Sequence, residues 1–493
     1  MKVILNPEIR KIVDLLNHEL DEENDLFMVG GAVRDVLRGD PVHDIDFVMP
    51  KDPRRFAKKV AKRMGVGYFM LDDARHTARV MYYTDDGQLC PLDFVEFTGD
   101  SLKEDLGNRD FTINAMALSV NELSDVLDPM RGMEDLGQGL LRTCSDHALS
   151  DDPVRVLRGI RFSHQLGFAY AKDLPDRLAH AAAALPQTSY ERQRDEFFKI
   201  LGGPSPALGM ADCARFRVFE TLIPPLVEQK AIPASPPHIL SLFEHTLSVV
   251  HHCDLLLRHI PQDDQHVPNQ HWWMSQALSS IKEFTEEIKA YFEEEITPGR
   301  SKYALMLLGA LLHDIGKPST LAVDEEGLLH FYGHDRVGGD LAWEAAKKLQ
   351  LSNAECSWLK KLVNYHMRLL PMITRGEPTR RAIFSFFDKA GEVGVAIGFL
   401  TLANTLGTYG STLLEDLWRR NLAVANAVLS AWWRDRQVII DPEPLLNGDD
   451  LQKIFGLEPG KQIGKLLFAL KEAQAGGEVN SQEAAKQFIR SRL

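Results

Sequence analysis

Two hydrophobic periodicities are mixed in the first part of the chain, up to about residue 140. Leu26–Val29 and Ile45–Met49 are short apolar runs flanked by Gly, Asp and Pro. Ala78–Tyr83 and Leu92–Phe97 alternate or carry β-branched and aromatic residues. Runs of this kind predict strands, and amphipathic helical patterns lie between them. We therefore predict a mixed α/β domain at the N-terminus.

Strand signals nearly disappear after Asp151, and helical patterns continue to the end of the chain. Stretches rich in Pro and Gly interrupt them at Gly202–Pro206, Ile232–His238 and near Ile440–Pro444. At 493 residues the chain is too long for one hydrophobic core. The predicted fold class is α+β, with a mixed-sheet head followed by helical domains. The predicted domain boundaries are 1–146, 147–232, 233–440 and 441–493.

The overall charge is acidic, with a net value of −14. Such a charge does not exclude a nucleic-acid partner, because a local basic surface is enough to neutralise a few phosphates. The predicted helix from Asp52 to Met64 offers one such surface, and a solvated helix face explains it equally well. Its basic residues are Arg54, Arg55, Lys58, Lys59, Lys62 and Arg63.

The five cysteines are scattered, odd in number and without a C-x-x-C pair. This favours reduced thiols in a cytoplasm and argues against disulfides or a zinc-thiolate site. No apolar run approaches the roughly 20 residues that cross a bilayer. The charged N-terminal stretch reads as an amphipathic helix and not as a signal peptide. We predict a cytoplasmic protein with no membrane partner and no obligate protein partner.

The densest chemical signal is MVGGAVRDVLRGDPVHDIDFVMP, residues 28–50. Gly30 and Gly31 stand between a strand and a helix, where backbone amides can approach phosphates. Asp44 and Asp46 are one residue apart on a predicted strand, so both side chains face the same side. Paired carboxylates of this kind suit Mg²⁺ ions that hold a triphosphate. Asp93, on another predicted strand, is the expected third carboxylate.

Gly-Gly-x-x-Arg-Asp followed by Asp-x-Asp resembles the head of the class II tRNA nucleotidyltransferases and bacterial poly(A) polymerases, which belong to the polymerase-β superfamily. Three further motifs follow in the family's order: NRDFTINAMAL at 108–118, DDPVRVLRGIRFSHQLGF at 151–168 and ERQRDEFFKIL at 191–201. The resemblance implies a polymerase-β-like head, a helical neck from residue 147 that recognises the base, and two-metal nucleotidyl transfer to an RNA 3′ hydroxyl.

The resemblance also implies roles for individual residues. Asp44 and Asp46 would bind Mg²⁺, with Asp93 as the third catalytic carboxylate. The nucleotide-binding residues implied by the motifs are Gly30, Gly31, Arg34, Arg109, Asp110, Asn114, Arg158 and Arg161. Judged from the sequence pattern alone, Phe111, Ile113 and Met116 are mostly expected to be buried core residues of a helix.

Asp152 and Arg155 are expected to read the base. They are three residues apart on a predicted helix, so both side chains would project from one face. The simpler alternative to base recognition is an ion pair within that helix. A carboxylate accepts from the exocyclic amine of cytosine or adenine, while a guanidinium donates to the neighbouring ring nitrogen. The family usually has Glu-Asp here, and this chain has Asp151-Asp152. The flexible element that would switch from C to A is placed at Asp72–Arg79.

A second constellation occupies the helical part of the chain. His313-Asp314 closes a strongly apolar helix and resembles the centre of an HD phosphohydrolase domain, which holds a divalent metal. Asn404 stands where that domain has a later Asp, which would weaken the site. The candidate ligands of this second metal are His245, His313, Asp314, His334 and His366. Phosphohydrolase activity and a purely structural remnant both remain open.

The C-terminal segment 445–489 is helical around a Gly-Leu-x-Pro-Gly-Lys turn and resembles the tail of HD-containing tRNA nucleotidyltransferases. Poly(A) polymerases tend instead to carry a basic tail, so tRNA is the expected RNA. The leading hypothesis is addition or repair of the 3′-terminal CCA of tRNA from CTP and ATP. The alternatives are an enzyme that adds only CC or only A, a poly(A) polymerase, and an HD phosphohydrolase.

Overall fold

The computed structural model describes residues 5–21, 24–72, 76–123, 125–259, 271–376 and 378–493. By their contacts, the residues form two compact units. The first contains Met1–Glu196 and Arg215–Val218, and the second contains Phe197–Ala214 and Phe219–Leu493. The two units are mainly α/β and mainly helical respectively, and this confirms the predicted α+β class. The four-domain division stays a prediction.

A seven-stranded mixed sheet forms the centre of the first unit, in the order β3-β4-β5-β2-β1-β6-β7. The pair β2 and β5 is parallel, and the other neighbours are antiparallel. The strands are β1 Phe27–Val29, β2 Ile45–Met49, β3 Tyr68–Asp72, β4 Thr77–Tyr83, β5 Leu89–Glu96, β6 Ala117–Ser119 and β7 Val126–Leu127.

All four strands predicted from the sequence are present, as β1, β2, β4 and β5. Three strands were not predicted, because they are short or lack alternation. The edge strand β3 exposes Phe69, Met70 and Leu71 in succession, which gives no period of two.

The two faces of the sheet carry different residues. Ile45, Phe47 and Met49 of β2 join the larger core, which also contains residues of the flanking helices Pro7–Glu19 and Pro53–Met64. Val48 points the other way into a small apolar cluster with Val29. Since side chains alternate along a strand, Asp46 lies on the face of Val48. The carboxylates are thus on the sheet face opposite to the larger core.

The helices of the first unit connect and flank these strands. The basic helix α3 is confirmed at Pro53–Met64, with proline in its first turn and Gly65 in the left-handed region at its C-terminus. The helices are α1 Pro7–Glu19, α2 Gly31–Arg38, α3 Pro53–Met64, α4 Leu102–Gly107, α5 Gly132–Gln138, α6 Ala148–Asp151, α7 Arg155–Leu166, α8 Leu174–Ala181 and α9 Tyr190–Leu201. The short strands β8 Leu140–Leu141 and β9 Ala169–Tyr170 pair in parallel.

The second unit is built from helices and two small hairpins. Its helices are α10 Pro206–Arg215, α11 Val218–Leu222, α12 Pro225–Glu228, α13 Leu242–His259, α14 Trp272–Ile281, α15 Thr285–Glu293, α16 Lys302–Leu312, α17 His334–Lys348, α18 Asn353–Tyr365, α19 Leu370–Arg375, α20 Arg380–Ala390, α21 Val393–Tyr409, α22 Glu415–Trp433, α23 Gly448–Phe455, α24 Lys461–Ala475 and α25 Gln482–Arg490. The hairpins pair β10 Glu295–Thr297 with β11 Arg300–Ser301, and β12 Ala322–Val323 with β13 Leu329–His330.

Two features of this unit bear on the sequence analysis. The stretch Val393–Thr412 is long and apolar enough to cross a membrane, but 78% of its apolar window is buried inside the protein. It is therefore a core helix of the unit. The C-terminal segment has a small apolar core of its own, in which Leu451, Leu470 and Ile489 are fully or almost fully buried.

Candidate active site

Two of the three predicted carboxylates share one face of the sheet, and the third immediately precedes the strand that carries one of them. Asp46 on β2 is the direct register partner of Asp93 on the parallel strand β5, so their side chains share a face. Asp44 is exposed and immediately precedes β2. Burial raises the pKa of Asp46 to about 6, with Arg109 opposing the shift and Asp44 and Asp93 adding to it. A clustered, partly buried set of oxygen donors fits a divalent cation such as Mg²⁺.

Gly30 brings the glycine turn next to these carboxylates. Its φ is +75°, in the region that favours glycine, and it is the N-cap of α2. A Cβ at this position would lie 3.2 Å from Nη1 of Arg109 and 3.3 Å from Oδ2 of Asp46. The turn, a carboxylate and a guanidinium therefore meet within a few ångströms. Arg109 also pairs with Asp105 at 3.1 Å.

A buried polar network links the first motif to the next two. Arg34 donates from Nη1 to Oδ1 of Asn114 at 2.6 Å, and Asn114 donates to Asp110 at 3.2 Å. Arg158 donates from Nε to Asp110 at 2.8 Å. Burial raises the pKa of Asp110, but Arg158, the Phe111 amide and Asn114 together hold that pKa below its usual value. Side chains from three motifs that are far apart in sequence are thus fixed in one hydrogen-bond network.

Positive charge gathers around one aromatic ring beside this network. The guanidinium carbons of Arg34, Arg158 and Arg161 lie 5.4, 5.2 and 4.2 Å from the centroid of Phe162. Arg161 also donates to the buried Glu196 at 2.7 Å. Three clustered guanidiniums can bind the phosphates of a nucleotide. Sequence reasoning missed Phe162, although it lies in a motif that was recognised, whereas Glu196 was expected as a possible partner of these arginines.

Asp152 and Arg155 are arranged differently from the prediction. Helix α6 ends at Asp151 and α7 begins at Arg155, while Asp152 is extended with φ −148° and ψ 94°. The expectation that one helix face carries both side chains is therefore wrong. Pro153 explains the break, because a residue that precedes proline is disfavoured in the helical region. Asp152 pairs with Arg192 at 2.6 Å.

Arg155 is held by main-chain carbonyls. It donates to the carbonyl oxygens of Ala148 at 3.0 Å, Asn108 at 2.8 Å and Arg109 at 3.4 Å. It thereby ties the start of α7 to the second motif. The prediction that this second motif, residues 108–118, is helical is wrong. It contains only a short 3₁₀ turn at Thr112–Asn114, followed by β6. Its apolar side chains are nonetheless buried core, as expected.

Arg79 is a site residue that sequence reasoning did not single out. It stands opposite Asp93 across β4 and β5 and binds both carboxylate oxygens, each at 2.7 Å. Only the cross-strand register reveals this pair, and the sequence does not fix that register. The predicted flexible element Asp72–Arg79 lies partly outside the described residues, which omit 73–75.

A separate cluster in the second unit gathers the predicted histidines around Asp314. Its Oδ2 lies 3.2 Å from Nε2 of His313 and 3.7 Å from Nε2 of His245. Its Oδ1 lies 3.4 Å from Nε2 of His334 and 3.7 Å from Nε2 of His366. All five predicted residues are therefore together, although α13, α16, α17 and the end of α18 supply them separately.

The chemistry of this cluster fits a divalent metal. The side chains of His245 and His313 are fully buried. Within the described residues, both ring nitrogens of His245 and Nε2 of His313 have no hydrogen-bond partner of acceptable geometry. Burial lowers the pKa of His245 to about 3, so its imidazole is neutral and has a free lone pair. Buried lone pairs without partners cost free energy, and a bound cation would satisfy them.

Asn404 lies on α21, the helix that packs against α13 and its His245. One turn further along, a Cβ on Gly407 would lie 3.4 Å from Nδ1 of His245. The Oδ1 atom of Asn404 is buried and has no partner among the described residues. The helix that packs against His245 thus carries a buried neutral amide, at the position where the HD resemblance implies a carboxylate.

Two family models match this chain. Residues 26–142 match the Poly A polymerase head domain, and residues 242–389 match the HD domain. The fold and these two matches together define a nucleotidyltransferase head and an HD domain. The chain is 31% identical to the A-adding tRNA nucleotidyltransferase of Deinococcus radiodurans, over 94% of each chain. It belongs to the tRNA nucleotidyltransferase family.

Other relatives lie in the same family. The CC-adding tRNA nucleotidyltransferase of Thermus thermophilus is 29% identical over 94% of this chain and 93% of its own. A CCA-adding enzyme solved with ATP has a TM-score of 0.66 at 21% identity, covering 99% of this chain and 96% of that one. An apo form of a CCA-adding enzyme has a TM-score of 0.64 at 21% identity, covering 99% and 95%. These two structures share the fold.

Proposed function

We propose that this protein adds or repairs the 3′-terminal CCA of tRNA from CTP and ATP. The observation that carries the proposal is the shared face of Asp46 and Asp93 beside the Gly30 turn and Arg109. This arrangement suits nucleotidyl transfer. Mg²⁺, when bound by Asp44 and Asp46, would supply Lewis-acid activation and charge neutralisation. The reduced thiols of the five cysteines support a cytoplasmic location.

The residues of this chain divide the remaining tasks. Gly30, Gly31 and the guanidiniums of Arg34, Arg109 and Arg158 bind the triphosphate. Phosphate oxygens accept charge-assisted hydrogen bonds from such groups, and α2 presents its N-terminus to the same place. Asp110 and Asn114 keep the guanidiniums in position through the buried network.

Base selection is assigned to Asp152 and Arg155. Their present partners, Arg192 and three backbone carbonyls, occupy the hydrogen-bonding groups that would read a base. Recognition of cytosine or adenine therefore requires both side chains to exchange these partners for the base edge.

Incorporation of labelled CTP or ATP, separately and together, tests the function on tRNA transcripts that end before CCA, after C and after CC. We expect addition of C, C and then A by the wild type. Asp46→Ala should abolish incorporation. Asp86→Ala, which removes an exposed acid from the β4–β5 turn of the same unit, should not. Equal activity of wild type and Asp46→Ala would contradict the proposal.

A partial specificity is the second candidate. Four relatives that match about nine-tenths of this chain are named A-adding or CC-adding tRNA nucleotidyltransferases. Relatives called CCA-adding enzymes match about two-fifths of it. Activity on only the transcript that ends in CC, with ATP, would assign A addition. Activity that stops after CC would assign the complementary enzyme, and both outcomes would preserve the mechanism in the head.

Phosphohydrolase activity is a candidate for the second unit, since its histidines have unpartnered buried nitrogens around Asp314. Hydrolysis of a chromogenic phosphoester with added divalent metal would test it. We expect His313→Ala to abolish any such hydrolysis and Asp46→Ala to leave it intact. Hydrolysis that survives His313→Ala would place the activity elsewhere.

A further inference from the structure

The histidine cluster contains one more side chain than its sequence motif predicts. His238 offers a ligand atom within 4.8 Å of those of His245 and Asp314. A second group of three, formed by Asp314, His334 and His366, satisfies the same limit. Asp314 is the member common to both groups. His238 therefore extends the cluster on the side of His245.

We propose that His238 is a direct ligand of a divalent metal ion bound with His245 and Asp314, replacing the carboxylate that is absent at Asn404. His238 lies before the segment 242–389 that matches the HD domain, in the connecting segment Ile232–His238. The proposal goes beyond the tRNA reaction and does not depend on it.

The connecting segment is fixed in place beside the helix that carries Asn404. The amide of His238 donates to the carbonyl of Ser235 at 2.9 Å, which closes a turn. The next amide, of Ile239, donates to the carbonyl of Thr408 on α21 at 3.3 Å. Ile239, the neighbour of His238, is therefore anchored to Thr408, which follows Asn404 by four residues on the same helix.

Ring packing sets the orientation of His238. Its ring centroid lies 4.6 Å from that of His245, with an interplanar angle of 66°. The two imidazoles of His238 and His245 and the carboxylate of Asp314 form a donor set suited to zinc, cobalt, nickel or manganese.

Lys317 occupies the space between two of these ligands. Its ammonium lies 2.7 Å from Oδ2 of Asp314 and 3.4 Å from Nε2 of His238. An ammonium and a metal ion cannot both occupy that position, so metal binding requires Lys317 to turn away. A cavity of about 280 Å³ beside the cluster is lined by Lys317 and His238 together, and it gives the ammonium room to move and the ion a path of entry.

Titration of the full-length chain with Co²⁺ tests the proposal, with the visible absorbance of bound Co²⁺ as the readout. An excess of Mg²⁺ occupies the carboxylates of the head. It leaves the histidines free for Co²⁺, because Mg²⁺ competes poorly for imidazole. We expect His238→Ala and His245→Ala each to weaken Co²⁺ binding by about 10-fold or more, since losing even an indirect ligand contact costs that much. His238→Asp, which retains a donor atom, should recover most of the affinity.

His330→Ala is the matched control. His330 lines the same cavity, but its Nε2 is already engaged by Asp324 at 2.6 Å, so its loss should change Co²⁺ affinity less than about two-fold. Thermal unfolding of the full-length chain should be unchanged in every variant, which shows that each is folded. Wild-type affinity and absorbance in His238→Ala would overturn the proposal. Wild-type affinity in His245→Ala would also overturn it, because the ion would then lie outside this cluster.

Discussion

At the scale of single residues, Gly30 shows how little space the catalytic face leaves. Replacing it with alanine imposes a strained φ of +75° and places a methyl group against Arg109 and Asp46. We expect Gly30→Ala to lower nucleotide incorporation by about 100-fold, which corresponds to a loss of about 2.7 kcal/mol of transition-state stabilisation. Steady-state incorporation on tRNA measures the effect.

Gly39 provides the control for backbone strain alone. It also has φ +75°, but no atom lies within 4 Å of its hypothetical Cβ. Gly39→Ala should therefore reduce thermal stability slightly and leave incorporation within about two-fold of wild type, because only the left-handed conformation is penalised. Equal losses of activity in the two variants would attribute the effect to strain and not to crowding at the site.

Asp110 connects stability to pH. Its pKa is lowered in the folded state, so its pairing with Arg158 stabilises the protein above the unfolded value near 3.8 and is lost as pH falls through the lower folded value. We expect Asp110→Asn to destabilise the first unit by about 3 kcal/mol at pH 7, since it leaves Arg158 without this buried partner. The difference should shrink below about pH 4.

Denaturant unfolding at several pH values measures this dependence. Asp173→Asn is the comparison, because Asp173 forms an exposed pair with Arg177 and should contribute only about 0–1 kcal/mol. A penalty for Asp110→Asn that stays constant down to pH 3 would show that shape and hydrogen bonding, rather than charge, account for its contribution.

At the scale of secondary structure elements, the sequence predicted the catalytic strands but not their surroundings. β2 is buried except at Asp46, and β5 alternates in burial around Asp93, so in both strands local pattern and chemistry agree. The Arg79–Asp93 pair depends on cross-strand register, which no local pattern contains. Asp152 was misplaced because helical periodicity was given more weight than the proline that follows it.

The basic helix α3 gives a prediction at this scale. Its residues Phe56 and Val60 pack into the larger core, on the sheet face opposite to Asp46 and Asp93. An RNA 3′ end bound at the carboxylates is therefore on the other side of the sheet from this helix. Replacing the exposed Arg55, Lys58 and Lys62 together with alanine should change the Kd for tRNA less than about two-fold.

The salt dependence of binding checks that prediction independently. Each lost phosphate contact would flatten the plot of log affinity against log salt by about 0.9. We expect the slope of the triple variant to equal that of the wild type. A slope reduced by two or more would instead place α3 in the tRNA interface.

At the scale of the whole molecule, the two candidate sites belong to different compact units. Asp44, Asp46 and Asp93 lie in the first unit, while the histidine cluster lies entirely in the second. Their donor chemistry also differs, since carboxylates favour Mg²⁺ and imidazoles favour softer metals. Neither site uses a residue of the other, so each should function without the other's metal.

Paired variants make this independence measurable. We expect His313→Ala to leave tRNA nucleotide incorporation within about two-fold of wild type, while it removes high-affinity Co²⁺ binding by the full-length chain. Asp46→Ala should show the reverse pattern. Sites that are uncoupled have additive effects, so the double variant should lose both properties and nothing more. A large drop in incorporation caused by His313→Ala, in protein that retains its thermal stability, would reveal a coupling between the units.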